Sequence, residues 1–450
     1  MKGNNKFISK ILFKLLLLRG GCSDYTMMKA IQKDKTEVVK LLLQDKRVDP
    51  SAEDNYAIRW ASANGYTDIV KLLLEDERVD PSAGDNYAIW WASANGYTEV
   101  VKLLLKDVRV DPSSVDNCAI KWASENGHAK LVKLLLTDKR VDPSAEDNYA
   151  IKEASANGYT DIVKLLLEDE RVDPSADNNY AIKEASYWGY VEIVKLLLKD
   201  KRVDPSAENN YAICVAAYCG NLEFVNLLLK DERVDPSADN NYAIKEASYW
   251  GYVEIVKLLL KDKRVDPSAE DNYAIRVASK EGHAEVVKLL LSDKRVDPSA
   301  VYNSAIICSS RFGYTEVVKL LLEDGMVDPS AVYNSAIICS SRFGYTEVVK
   351  LLLEDGRVDP SAEDNSAIRC SSRFGHAEVV KLLLQDKRVN PSADYNDAIR
   401  EAAKYGHAEV VNLLLSDERV DVDKAIELIL YCPHREVKKI ISKYRKSESN

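Results

Sequence analysis

Apolar and polar positions along this chain follow a pattern that restarts every 31 residues. In the stretch Asn55–Leu74 a short apolar segment, Tyr56-Ala57-Ile58, leads through Ala61-Ser62 to Gly65. A denser one, Ile69-Val70 and Leu72-Leu73-Leu74, follows at once. Apolar residues three and four apart indicate helix rather than strand. The pattern predicts a helix of about two turns opening at Asn55, a stop at Gly65, and a second helix from about Thr67 to Asp76. Asn55 is the expected N-cap, its side-chain oxygen accepting from a free N–H of the first turn. Pro81 forces Asp80 toward extended geometry, so Arg78-Val79-Asp80-Pro81-Ser82-Ala83 reads as a linker ending in a short finger-like turn. Val79 is expected to dip back into the core.

The repetition decides the architecture. Twelve of the 13 prolines recur at this spacing from Pro50 to Pro391, twelve glycines from Gly65 to Gly406, and twelve Asn-x-Ala-Ile segments from Asn55 to Ile399. One helix pair cannot bury both of its apolar faces, so neighbouring pairs must stack and bury them jointly. The expected fold is all-α, a linear array of helix pairs rather than several globules.

At about 100° per residue, positions 57, 58, 61 and 62 share one side of the first helix. They stay Ala, Ile, Ala/Ser and Ser/Ala almost throughout. Positions 59, 60, 63 and 64 share the other side and vary widely. A shared core admits one solution per slot, whereas an outward strip is free to differ. The second set is therefore the candidate ligand-facing strip. Its early members are bland: Ala63-Asn64, Ala94-Asn95 and Ala156-Asn157. Middle units carry Tyr187-Trp188, Tyr218-Cys219 and Tyr249-Trp250, and late units Arg311-Phe312, Arg342-Phe343, Arg373-Phe374 and Lys404-Tyr405. Aromatic and arginine side chains dominate interface hot spots. The candidate protein-binding residues are thus Tyr187, Trp188, Tyr218, Tyr249, Trp250, Arg311, Phe312, Arg342, Phe343, Arg373 and Phe374. The competing reading packs these aromatics against adjacent units. The Trp60, Trp91, Trp122 column leans structural, although Glu153, Glu184, Glu246 and Glu401 in the same column argue against full burial.

The array is expected to end imperfectly. Asp34 stands where the first unit should have its glycine, and Ala425-Ile426 follows Ala398-Ile399 after a shortened linker. Residues 24–419 form about 13 units on this reading. Residues 420–450 form a C-terminal capping pair, with a lysine-rich helix over Arg435–Tyr444 and a frayed tail. Residues 1–23 are read first as an amphipathic capping helix, because Lys6, Lys10 and Lys14 fall on one stripe; a membrane-surface anchor and a cleaved signal are the less favoured readings.

Composition narrows the chemistry. Lys+Arg total 62 against 72 Asp+Glu, a formal net charge of −10, which gives no overall case for nucleic-acid binding. Arginines beside aromatics in the late units keep single-stranded nucleic acid as a minor alternative. Eight cysteines occur without a Cys-x-x-Cys pair, which supports neither a zinc site nor a disulfide framework and suits a reducing compartment. All five histidines, at 128, 283, 376, 407 and 434, occupy the turn between helices or its equivalent, where they read as hydrogen-bonding turn residues. No nucleophile–base pair, phosphate loop or metal spacing stands out, so no catalytic residue and no cofactor is expected.

Gly-His at 127–128, 282–283, 375–376 and 406–407, followed by Glu or Lys and an apolar run such as Val-Val-Lys-Leu-Leu-Leu, resembles the second-helix entry of the ankyrin repeat, and the first-helix Ala-Ser resembles its Ala-Ala. The resemblance covers residues 24 to about 443. It implies an ankyrin-like solenoid of stacked helix–turn–helix repeats with short finger loops, and it places the variable strip in a concave groove. Two departures stand out. The period is 31 where the family usually has 33, and Tyr-Ala-Ile-Arg/Lys replaces Thr-Pro-Leu-His, which puts the full β-finger in doubt. The variant resembles ankyrin families encoded by giant DNA viruses of amoebae, which implies action inside a host cell.

The function expected from these features is a non-enzymatic, monomeric, intracellular scaffold, in the cytoplasm, that binds a protein partner of the host through the groove. The alternative is a substrate adaptor for a ubiquitin ligase or a membrane-tethered decoy. Residues 169–208 match 231–270, and 299–325 match 330–356, residue for residue. Such copying means that repetition alone does not mark a site.

Overall fold

The computed structural model describes residues 23–447. These fold into 28 helices with no strand among the described residues. The helices form 14 consecutive pairs, here called repeats 1 to 14, from Ser23–Gln32 with Thr36–Leu43 to Val422–Ile429 with Arg435–Ser447. Two compact units divide within the helix Ala207–Tyr218, one reaching Ala212 and the other starting at Ile213. Within each unit, successive first helices pack on one another and so do successive second helices. The final helix runs past Tyr444 to Ser447. The expectations for residues 1–22 and 448–450 lie outside the described residues.

The core is the one the pattern dictates. In repeat 2, Ile58, Ala61, Ser62, Ile69, Val70 and Leu73 are fully buried, as is the linker's Val79. Burying each large aliphatic side chain contributes roughly 2 kcal/mol. The core positions are filled by nearly the same residue types in every repeat, so each repeat offers its neighbour the same apolar surface.

The connection between repeats departs from expectation. The finger is neither a β-hairpin nor an ordinary turn. Glu53, Asp54 and Asn55 have φ of 53°, 55° and 55°, three left-handed residues in a row, before the right-handed turns begin at Tyr56. The same triplet recurs in repeats 2 to 13. Left-handed backbone costs an ordinary residue about 1–2 kcal/mol, and Asn and Asp tolerate it best. Asn55 does not cap its own helix. Its Oδ1 accepts from the backbone N–H of Asp80 in the following repeat at 2.7 Å, and the bond recurs at Asn86–Asp111, Asn117–Asp142 and onward to Asn365–Asn390. The side chain is buried, so the bond holds one repeat to the next in an interior where an unmade bond would be costly.

The linker supplies the other half of the seam. The Asp76 carboxylate accepts from the backbone and guanidinium of Arg78, which in turn donates through Nη1 to the Val48 carbonyl of the preceding repeat at 2.8 Å. Asp80 accepts from the backbone N–H and hydroxyl of Ser82, which closes the turn around Pro81. These charged hydrogen bonds from Arg78 hold the Asp76 carboxyl below the ordinary carboxylate range. The same happens at Asp107, Asp138, Asp169 and their successors to Asp417. Repeat 10 is the exception: Met326 stands in the arginine's place and keeps only its backbone N–H bond to Asp324.

Gly65 carries two constraints. Its φ is +76°, as a helix-ending glycine requires. It is also covered by the Tyr97 ring of the next repeat, so a Cβ there would lie 2.6 Å from ring carbons. Tyr or His from the following repeat covers the equivalent glycines in the same way from Gly96 to Gly158 and from Gly220 to Gly406, whereas Asn221 stands at the covering position for Gly189. In repeat 1, Asp34 takes up the positive φ itself, at 51°.

Candidate protein-binding face

The first helices place the variable columns as the helical period requires, with one correction. The columns of 63 and 64 lie at the open end of the helix. Tyr187, Trp188, Tyr218, Trp250, Arg311, Phe312, Arg342, Phe343, Arg373 and Phe374 are all exposed, with Trp188 at 58%. Tyr249 is half-buried. The column of 59 is not an open strip. Most of its lysines, and Arg369, reach to the acidic finger one repeat on and are largely covered. Lys121 pairs with Glu146 at 2.6 Å, Lys183 with Glu208 at 2.6 Å, Lys245 with Glu270 at 2.7 Å and Arg369 with Asp394 at 2.8 Å. The sequence placed 59 on the outward face correctly but could not show that a neighbouring finger closes over it.

The column of 60 is intermediate. Trp60 stacks on Tyr56 at 5.6 Å, and Trp91 joins Tyr87 and Trp90 in one aromatic cluster. The Trp90 and Trp91 indole N–H groups are buried without an acceptor among the described residues. Glu153 and Glu246 in this column are raised above the usual carboxylate range, mainly by burial.

Exposed aromatics and cations touch along the face. Tyr187 and Trp188 meet edge-on at 5.1 Å in the first unit. In the second unit, Trp250 is contacted edge-on by Tyr249 at 5.0 Å and by Tyr218 at 5.8 Å. Farther along, the Arg342 guanidinium lies over its own neighbour Phe343 at 5.8 Å and over Phe374 of the next repeat at 5.5 Å. Arg373 does likewise with Phe374 and Tyr405. The packing alternative for the aromatics is therefore half true. They do touch across repeats, yet they leave their outer surfaces free.

The histidines bond as the turn positions suggested. His283 Nε2 lies 2.8 Å from the Tyr249 carbonyl, and His376 and His407 lie 3.0 Å from those of Arg342 and Arg373. A carbonyl only accepts, so Nε2 carries the proton in each. The rings thus tie the backbone of the exposed strip to the next repeat. The seven cysteines of the described residues are free thiols. Burial pushes the Cys214 thiol up to about 12 and raises Cys308, Cys339 and Cys370 despite nearby arginines. Protonated thiols are poor nucleophiles.

Several exposed residues escaped the sequence reading. Val301 and Tyr302 in repeat 10, and Val332 and Tyr333 in repeat 11, occupy a finger pair that keeps at least one carboxylate in each of repeats 2 to 9, 12 and 13; Tyr302 is 80% exposed and Tyr333 74%. The signal was available as the loss of carboxylates at the places of Glu53 and Asp54. It meant nothing until the fingers were seen to border the strip.

A search of curated proteins finds no match. The family model for three successive ankyrin repeats, which are generally protein–protein interaction modules, matches residues 4–85, 60–147, 120–209, 185–271, 273–364 and 337–426. Tandem helix pairs, recurring glycine-bounded turns and these overlapping matches agree: the chain belongs to the ankyrin-repeat family.

Proposed function

We infer that this chain is a non-enzymatic scaffold of ankyrin repeats at 24–419, closed by a capping pair at 420–450, which captures a protein partner on its first-helix face. The exposure of ten of the eleven candidate residues carries the reading, since a face used only for packing would bury them. Aromatic and guanidinium groups held by neighbouring rings and backbone bonds lose little entropy on docking. The 31-residue variant's resemblance supports a host-cell protein as the partner and the cytoplasm as the compartment; the chain is taken to act as a monomer. No helix among the described residues is long and apolar enough to cross a membrane.

Replacing Tyr187, Trp188, Tyr249 and Trp250 together by Ala is expected to abolish partner capture in a proximity-labelling experiment and to leave the thermal melt nearly unchanged. The backbone carbonyl of Tyr249 that holds His283 survives this change. Unaltered capture, or loss of folding, would remove these residues from the binding face.

A further inference from the structure

We propose that the first-helix face of repeats 9 to 11 takes an acidic peptide segment carrying apolar side chains between its carboxylates. The proposal deepens the scaffold reading and rests on it.

Charge is the first observation. Elsewhere the arginine or lysine at the column of 59 is commonly neutralised by the next finger, as Lys245 is by Glu270. Arg276 faces a finger in which Val301 replaces the acid, and it bonds only to the carbonyls of Glu270 and Asp271. Among the described residues, Arg276, Arg311 and Arg342 have no carboxylate partner. Residues 298–315 and 329–346 each contain one charged side chain, Arg311 and Arg342 respectively. In a chain of net charge −10, these two repeats are the ones that have shed every finger carboxylate. The duplication that produced them explains their likeness to each other, not their cationic character.

Apolar surface is the second. Ile307 and Ile338 replace the bridging cation at the column of 59 and are half-buried. Val301 and Val332, at φ 51° and 50°, hold left-handed backbone that β-branched residues resist, and they remain exposed. The left-handed geometry is common to every finger from repeat 2 to repeat 13, and Val115 in repeat 4 shares it beside Asp116; what sets repeats 10 and 11 apart is a Val-Tyr pair with no carboxylate, exposed at both positions. Phe312 and Phe343 close the other margin of the same face.

A cavity is the third. About 200 Å³ lies between repeats 9 and 10, lined by Tyr273, Arg276, Lys280, Ser304 and Cys308 among others. The Ser304 hydroxyl oxygen is buried there without a hydrogen-bond partner among the described residues. Lys280 already pairs with Glu281 at 3.2 Å, which leaves the Arg276 guanidinium and the free hydroxyl as the groups that suit an incoming carboxylate. Adjacent repeats at a helix-packing separation of about 10 Å match about three residues of extended chain, so a carboxylate at every third position would meet successive guanidiniums.

The test uses the full chain and a fluorescein-labelled decapeptide with Glu at every third position and Leu and Ser between, read by anisotropy. The peptide should bind, its Lys counterpart should not, and binding should weaken as salt rises. Restoring finger acids with V301E, Y302D, V332E and Y333D should weaken binding about tenfold. The melt should hold, because Glu363-Asp364 already occupies the same backbone geometry in repeat 12. R311E with R342E should weaken binding similarly, whereas Y187A with W188A should not. Equal binding of the Lys peptide, indifference to the finger acids, or equally tight binding of a decameric oligothymidine would overturn the proposal. Failure of the Glu peptide to bind at all would also overturn it. The scaffold reading has its own test in the aromatic variant and would survive that result.

Discussion

Repeat 5, with helices Ala145–Ala156 and Thr160–Leu167, and repeat 11, with Ala331–Phe343 and Thr346–Glu354, share a seam and differ in their faces. At the seam, Asn148 accepts from the Asp173 N–H at 2.7 Å and Asn334 from the Asp359 N–H at 2.7 Å. Arg171 reaches the Val141 carbonyl at 2.8 Å and Arg357 the Val327 carbonyl at 2.7 Å. On the face, repeat 5 has Lys152 between Asp147 and Asp177, with Ala156 and Asn157 at its end; repeat 11 has Ile338, Arg342 and Phe343 beside a Val-Tyr finger. The seam depends on backbone groups that every repeat must satisfy, so its side chains are fixed. The face side chains of these two repeats make exposed ion pairs and ring contacts but satisfy no buried backbone group, so they can be rewritten at little cost to the stack.

Substitutions can break this division, and the largest effect should come from a seam glycine. Gly344 has φ +77°, and a Cβ there would lie 2.5 Å from the His376 ring. Gly344→Ala is expected to cost about 3 kcal/mol, combining left-handed strain with displacement of the ring. Gly356 has open space around it, and Gly356→Ala should stay within about 0.5 kcal/mol. Hydrogen exchange across residues 331–385 should show loosening in the first variant only. Equal effects would mean that the ring contact is not part of the seam.

The arginine of the linker offers the next contrast. Arg140→Ala strips the Val110 carbonyl of its 2.7 Å donor and should cost about 1–2 kcal/mol. Met326→Arg should restore the missing donor toward the Val296 carbonyl and add about 1 kcal/mol, seen as a higher denaturant midpoint. No gain from Met326→Arg would mean that the arginine acts only within its own turn.

Titration should separate seam from face as well. The linker aspartates are held below their unfolded value, so their contribution is present at neutral pH and is lost as pH falls from about 4 through the lowered range. Glu153 and Glu246 on the face are raised by burial, so ionising them opposes folding at pH 7 and protonation relieves this. The melting temperature should therefore drop steeply below about pH 4. Glu153→Gln should raise it slightly at pH 7, with the difference shrinking as the pH falls. An acid-insensitive melt would show that the Asp–Arg turns add nothing to the stack. The smallest expected effect on stability is that of the finger acids in repeats 10 and 11, which belong wholly to the face.

The helix pairs, their buried columns and the linker's Val79 were legible because a residue's side of a helix follows from local period alone. Asn55 shows where that logic stops. An Asn before an apolar run looks like a cap, and only the following repeat reveals that its oxygen serves Asp80 instead. Lys121 shows the same limit from the outside: its angle on the helix points outward, yet Glu146 closes over it. Gly65 was half legible, since its helix-ending role is local but the Tyr97 ring upon it comes from 32 positions away.

By itself, then, the sequence determined the repeat length, the helix order, the core and which side of the first helix faces away from it, all consequences of short-range periodicity and of apolar faces that must find cover. Only the tertiary structure decided which polar groups spend themselves holding neighbours together and which remain unpaired, because that depends on atoms brought close by stacking rather than by order along the chain. Arg342 and Arg357 are the same residue type 15 positions apart; one is consumed by the Val327 carbonyl and the Asp355 carboxylate, and the other is left facing outward with its charge unanswered.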